Sequence, residues 1–269
     1  MAAVTFDLWH TLIKLSPLVE DRYVQSQERV LAEVVRTSGS TGGPKRGRLV
    51  GPEEAAHLAL TNAMGQVGKG SPVADIARDA ARRAGRVADP ERWVQAVEAL
   101  VEAQPFEEVP GARAQLRRLK EEGYRTAVVS NIVGETGRSV RRVMERLDMA
   151  RFIDSWALSE ELPWAKPAPE IFWRALEPLS TPASEAVHIG DLRSDVYGAR
   201  AAGFRSQVLF LGARDYGPLY ASLCHTGDII DPEPEHVLVS WDELPPLLAA
   251  LFTDNASKGR HARRRRAQG

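Results

Sequence analysis

Four polar residues stand at or just beyond the ends of short apolar runs, and their types suit one kind of chemistry. Asp7 closes "AVTF", Ser130 closes "YRTAVV", Asp191 follows "AVHIG", and Lys166 follows the run 152–160 within "WAKP". A carboxylate at Asp7 could attack phosphorus or carbon and form a covalent intermediate, dividing one hard step into two. Ser130 and nearby backbone N–H groups could hold a group on which charge develops. Lys166 offers a compact positive charge able to restrain both Asp7 and an anionic oxygen. Asp191 is a hard oxygen ligand. With Asp7 and the Trp9 backbone carbonyl it could bind Mg²⁺, which takes one or two carboxylates and keeps several waters. Asp195, one helical turn further on, would complete that site or support it from behind. Each residue alone has an ordinary explanation: an Asp at a strand end often caps a helix, and Lys-Pro and Ser-Asn are common loop pairs. The weight lies in the repeated placement at strand ends.

Such placement needs strands that run the same way. Runs at 3–8, 124–131, 152–160, 186–191, 206–211 and 236–241 read as short buried strands. Between them, 111–123, 135–147, 168–179 and 194–202 carry helical patterns, the first closed by Gly123. Strands alternating with helices imply a parallel sheet covered on both faces, with reactive groups at the carboxyl ends of its strands. One block breaks the alternation. From 14 to 105 the pattern is helical in pieces, with no convincing strand, and a Gly-, Ser- and basic-rich loop at 36–48. The expected organisation is an α/β, Rossmann-like parallel-sheet core from 1–13 and 106–252, an inserted α-helical cap at 14–105, and a basic disordered tail at 253–269.

Composition narrows the classes. Charged residues at 26% and hydrophobic residues at 43% are ordinary for a soluble globular chain. The formal net charge is −1, yet the stretch 258–269 alone carries six cations (Lys258, Arg260, Arg263 to Arg266), which leaves the remainder at −7. An acidic body argues against a nucleic-acid-binding core; the tail reads as solvated. Cys224 is the sole cysteine, so no intrachain disulfide can form, in keeping with a reducing cytoplasm. No apolar run is long enough to span a membrane, and no secretory signal is legible. Nothing in the sequence sets an oligomeric state.

The motifs now fall into a known order. "FDLWHTL", "VVSN", "WAKPAPEIF" and "IGDLRSDVYGARAAGF" resemble the four successive motifs of the haloacid dehalogenase (HAD) superfamily, over residues 4 to about 211. The helical insertion lies where that family places its type-one cap. The resemblance implies a hydrolase with Asp7, Thr11, Ser130 and Lys166 in catalysis, Thr11 orienting Asp7. It implies Mg²⁺ held by Asp7, the Trp9 carbonyl and Asp191, with Asp195 behind them. Trp9, His10 and Asn131 would face the substrate, a small phosphorylated molecule.

Trp9 departs from the pattern. Family phosphatases carry a second Asp there, which protonates the leaving alcohol. An indole donates a hydrogen bond but does not titrate in this range. Three readings follow. The first is a Mg²⁺-dependent phosphatase that tolerates the loss, with a good leaving group or another proton source. His10 titrates near neutrality, but adjacent strand residues point to opposite faces, which favours a packing or hydrogen-bonding role. The second is attack at carbon, as in the family's 2-haloacid dehalogenases, which have an aromatic residue at this position; their fourth motif typically lacks the Gly-Asp metal ligand that "GDLRSD" retains. Phosphonate-cleaving relatives use a cap lysine, for which Lys14, Lys45 and Lys69 are the candidates, none with a clear site context. The third is a binding or regulatory protein that has lost its acid. Trp164 is a candidate for the mouth of the site, Arg193 for a surface ion pair, and His188 for a satisfied core residue.

Overall fold

The computed structural model describes residues 1–41, 49–213, 215–218 and 233–252. The tail 253–269, Cys224, Lys45 and most of the 36–48 loop lie outside the described residues. Six parallel strands form the sheet: β1 (Ala3–Phe6), β4 (Arg125–Ser130), β5 (Ser155–Leu158), β6 (Ala186–Gly190), β7 (Ser206–Phe210) and β8 (His236–Leu238), in the order β5-β4-β1-β6-β7-β8. Each lies within a run expected to be a strand. β1 is central, paired to β4 on one side and β6 on the other, so the order reverses beside it. The crevice at such a reversal is where α/β sheets place ligands.

Alternate side chains of each strand feed two cores. Ala3, Ala127 and Val129 face α7 (Pro169–Leu176) and α8 (Arg193–Ala201) through Phe172, Ala175 and Ala199. Val4, Phe6, Val128 and Ile189 face the other way, toward Leu116 and Leu119 of α5 (Ala112–Glu121) and Val140 and Val143 of α6 (Gly137–Arg146). Leu244 and Leu248, from a helix at 244–252, close that side. α6 begins at a capping box in which the Thr136 and Ser139 side chains satisfy each other's backbone N–H groups. Fully buried strands on both faces explain why these segments read as nearly continuous apolar runs.

Four helices interrupt the sheet after its first strand: α1 (Pro17–Thr37), α2 (Pro52–Met64), α3 (Val73–Ala84) and α4 (Pro90–Glu102). They pack on one another and none adds a strand to the six-stranded sheet. Prolines at the first turn of α1, α2 and α4 set their starts. A two-stranded antiparallel ribbon, β2 (Ile13–Lys14) with β3 (Glu107–Glu108), gathers the entry and exit of this group. Only Lys14 of this ribbon falls in the block 14–105 read from sequence as strandless, and two-residue strands leave no periodicity to detect. α4 is also tied to α6: Glu98 accepts from Arg138 Nε and Nη2 at 2.8 and 2.6 Å, and Glu102 pairs with Arg142 one turn on. Among the described residues no helix is long and apolar enough to cross a membrane.

Candidate active site

The parallel sheet brings Asp7, Ser130 and Asp191 to one edge, at the ends of three adjacent strands. Asp7 extends the ladder past β1, its N–H donating to Ile189 O at 2.8 Å. Lys166 arrives from the loop after β5 and is buried. Its Nζ lies 2.6 Å from both Asp7 Oδ1 and Asp195 Oδ1. The Asp195 contact is a hydrogen bond, whereas the Asp7 contact is an ion pair poorly aligned for one. Burial alone would push the Lys166 ammonium down, but the two carboxylates outweigh it and hold it above the ordinary lysine range. The lysine is therefore a fixed charge, not a base.

Asn131 does not merely border the site. Its Oδ1 accepts from Lys166 N at 2.7 Å and its Nδ2 donates to Lys166 O at 3.1 Å, which clamps the lysine backbone beside β4. Asp195 is saturated from behind. Oδ1 accepts from Lys166 and from His188 Nε2 at 3.0 Å, and Oδ2 accepts from Leu192 N at 3.0 Å. Thr5 Oγ1 lies 2.8 Å from His188 Nδ1. Burial pushes the His188 imidazole down, which favours the neutral ring. His188 is the satisfied core residue expected from sequence. Gly190 makes room for this arrangement, since a Cβ there would sit 2.2 Å from the Asp195 carboxyl carbon.

Asp191 is buried and accepts from Tyr216 OH at 2.6 Å. Asp7, Asp191 and Asp195 each offer an oxygen within 4.8 Å of the others. Burial, followed by the charges of Asp7 and Asp195, pushes the Asp191 carboxyl well above the usual range. Three buried carboxylates against one ammonium leave an excess of negative charge that suits a hard divalent cation. Because Asp195 already spends both oxygens, Asp7 and Asp191 are the pair left to face one.

Other expected residues stand differently. Ser130 and Thr11 are fully buried, and neither hydroxyl has a hydrogen-bond partner among the described residues. The Thr11 hydroxyl therefore makes no hydrogen bond to Asp7. His10 does not line the substrate cavity. Its φ of 53° turns the chain, its Nε2 meets Glu20 Oε1 at 2.6 Å, and its Nδ1 donates to Ala213 O at 3.1 Å. A ring so engaged is not placed beside a substrate, which corrects its assignment to the substrate-facing set. Lys14 pairs with Asp215 at 2.7 Å. Trp164 joins a backbone bridge with Lys69, flanked by Gly70 N donating to Pro163 O and Ala165 N to Gly68 O, both at 3.1 Å. The turn between α2 and α3 is thus zipped onto the strand of chain leading to Lys166. Gly70 is required there, because a Cβ would fall 1.8 Å from Leu162 O. Arg193 stacks near Tyr197, its Nη2 donating to that hydroxyl, and enters no ion pair among the described residues.

A cavity of about 580 Å³ opens above Asp7 and Lys166. Trp9 does line it, packed on Phe106 with ring centroids 5.4 Å apart. Lys69 lines it as an exposed side chain. The lining also includes Tyr23, Gln27 and Glu135, which sequence reading passed over. Tyr23 and Gln27 share one face of α1 at a four-residue spacing, but nothing in the sequence says that this face meets the loop after β4. Tyr216 and Glu20 were missed for the same reason: their partners lie across the fold.

The family model described as "haloacid dehalogenase-like hydrolase" matches residues 1–203. The chain belongs to that family. Among curated HAD relatives is the glyceraldehyde 3-phosphate phosphatase of Pyrococcus furiosus, 36% identical over 151 residues, covering 56% of this chain and 57% of that one. The chain spans only about half the length of the curated relatives it matches. Two solved structures share the fold: a HAD phosphatase from Thermococcus onnurineus (19% identity, TM-score 0.59, 92% of this chain and 98% of that one) and a 2-haloacid dehalogenase from Pseudomonas syringae pv. Tomato (22%, 0.58, 93% and 99%). The fold match is as good to one chemistry as to the other, so the site must decide between them.

Proposed function

We infer that the chain is a Mg²⁺-dependent phosphomonoester hydrolase acting on a small metabolite through an aspartyl-phosphate at Asp7. The supporting observation is the cluster of Asp7, Asp191 and Asp195 around Lys166: the excess carboxylate charge has a use if a metal and a phosphoryl group are bound and none if carbon is attacked. Asp7, Asp191 and the Trp9 carbonyl would hold Mg²⁺, which neutralises charge on phosphoryl oxygens. Asp7 attacks phosphorus, the P–O ester bond breaks, and the alkoxide takes a proton from solvent water. Water then cleaves the aspartyl-phosphate, returning Asp7 and releasing phosphate. Lys166, clamped by Asn131 and Asp195, keeps Asp7 in line. The Ser130 hydroxyl, buried without a partner, is the donor available to a phosphoryl oxygen. Helices α1–α4 act as the cap over a core of 1–13 and 106–252, and the single cysteine fits a cytoplasmic enzyme.

A second reading rests on Trp9. An aromatic side chain lines the cavity where a proton donor would stand, and a halide leaves without a proton, which favours a 2-haloacid dehalogenase reaction. One experiment separates them: phosphate release from aryl, acyl and alkyl phosphates with and without Mg²⁺, beside chloride release from 2-chloropropionate. Mg²⁺-dependent phosphate release supports the first reading. Chloride release without phosphate release replaces it. Ligand binding with neither product marks a binding protein on this fold.

A further inference from the structure

Two buried carboxyls in the cavity have no task in the mechanism above, Glu20, which is engaged by His10 and Gly217 N, and Glu135. Glu135 sits on the loop between β4 and α6 and is 6% exposed. Its Oε1 accepts from Tyr23 OH at 2.9 Å and from Gln27 Nε2 at 3.1 Å, both on α1. These are neutral donors. No cation forms an ion pair with Glu135 among the described residues. The neighbouring charge that acts on it, Glu160, is also negative. A buried carboxylate is normally paired with a counter-charge or protonated. Here burial pushes the group up to about 7, against the pull of the Tyr23, Gln27 and Val133 hydrogen bonds.

Beside it stands a row of aromatic rings. Tyr23 meets Phe106 edge to face with centroids 5.9 Å apart, and Phe106 packs on Trp9. All three line the same cavity as Glu135. Aromatic faces attract organic cations through the ring quadrupole, and a carboxylate supplies a charge-assisted acceptor. An aromatic wall ending in an unpaired carboxyl is a site for an organic ammonium.

Resting on the hydrolase reading, we propose that the alcohol portion of the substrate carries a protonated amine, held by Glu135 against the Trp9–Phe106–Tyr23 wall while the phosphoryl group sits at Asp7. The substrate class is then phosphomonoesters of amino alcohols with an apolar spacer. The ammonium supplies the counter-charge that the protein withholds. Tyr23 and Gln27 aim the carboxylate by occupying one of its oxygens.

Two arms test this. In the first, kcat/KM is compared for matched pairs, 2-aminoethyl against propyl phosphate and 4-aminobutyl against pentyl phosphate, with 4-hydroxybutyl phosphate as a neutral polar control. Wild type should favour the amine of at least one pair about tenfold or more, mainly through KM, and Glu135→Gln should bring that ratio close to one. A ratio near one in wild type, a ratio that survives Glu135→Gln, or a preference for the hydroxyl compound over the amine overturns the proposal. In the second arm, calorimetry compares binding of phenethylamine with that of 2-phenylethanol, to wild type and to Glu135→Gln. This arm needs no turnover. If p-nitrophenyl phosphate is not hydrolysed with Mg²⁺, the hydrolase reading fails, while selective amine binding that is lost in Glu135→Gln still upholds the ammonium site. Equal binding of the two probes overturns it whether or not the chain is a hydrolase.

Discussion

The floor and the wall of the cavity solve the burial of charge in opposite ways. On the floor, Asp7, Lys166, Asp195, His188 and Thr5 form a chain of contacts of 2.6 to 3.0 Å. On the wall, Glu135 has only neutral donors and sits beside aromatic rings. The floor is arranged before any ligand arrives, as electrostatic catalysis requires. The wall is left incomplete, as a recognition surface is until its ligand fills it. On the floor an ammonium is already built in among the carboxylates, and on the wall the cation is left to the ligand.

Four measurements would break or sharpen that contrast. The largest effect is expected at Asp7. Asp7→Asn should reduce Mg²⁺-dependent hydrolysis of p-nitrophenyl phosphate to background, because the amide is a poor nucleophile and a poor Mg²⁺ ligand. Retained activity would remove the covalent mechanism. Next is Lys166→Met, which leaves three crowded carboxylates without their ammonium. Breaking a buried pair this way costs roughly 3–5 kcal/mol. Urea unfolding should show a loss of that order without Mg²⁺ and partial recovery with it. A variant as stable as wild type would mean that the floor is not held by charge.

Glu135 provides the pH test. In the folded chain it keeps its proton up to about 7, against an ordinary value of 4.5. Between those pH values the folded state holds a proton that the unfolded chain has lost, so unfolding free energy falls as pH rises through the window. The cost is absent below about pH 4.5, complete above about pH 7, and at most about 3 kcal/mol. Glu135→Gln should remove that slope, so its stability relative to wild type should improve from pH 5 to pH 8. A parallel pair of pH–stability curves would show that the wall carboxyl is not strained by burial.

The smallest effect concerns Trp9, where wall meets floor. Trp9→Asp should raise hydrolysis of alkyl phosphates more than that of aryl phosphates, by up to roughly 10²-fold, since only the alkoxide needs a proton. Equal change in both would mean that Trp9 shapes the cavity rather than standing where an acid would act. A variant that loses amine selectivity at the same time would place both functions on one ring.

Much of this molecule is written in local pattern. β1 reads as a strand because Ala3 to Phe6 form a short run that favours strands, and Gly190-Asp191 with Asp195 one turn later reads as a site because hard oxygen ligands stand at a strand end. Strand direction followed from alternation, and with it the gathering of Asp7, Ser130 and Asp191 at one edge, since parallel strands share their carboxyl ends; the order of the strands did not. What the tertiary structure decided are the contacts between residues far apart in the chain. His10 carries a titratable ring next to the site, yet a positive φ and the distant Ala213 carbonyl hold it elsewhere. Thr11 belongs to the motif, but its hydroxyl makes no hydrogen bond to Asp7. Glu135 and Tyr23 are 112 positions apart, and only the packing of α1 over the loop after β4 makes them neighbours. Periodicity reports which face of an element is buried. It says nothing about which other face it meets, and the selecting wall of this cavity is made of such meetings.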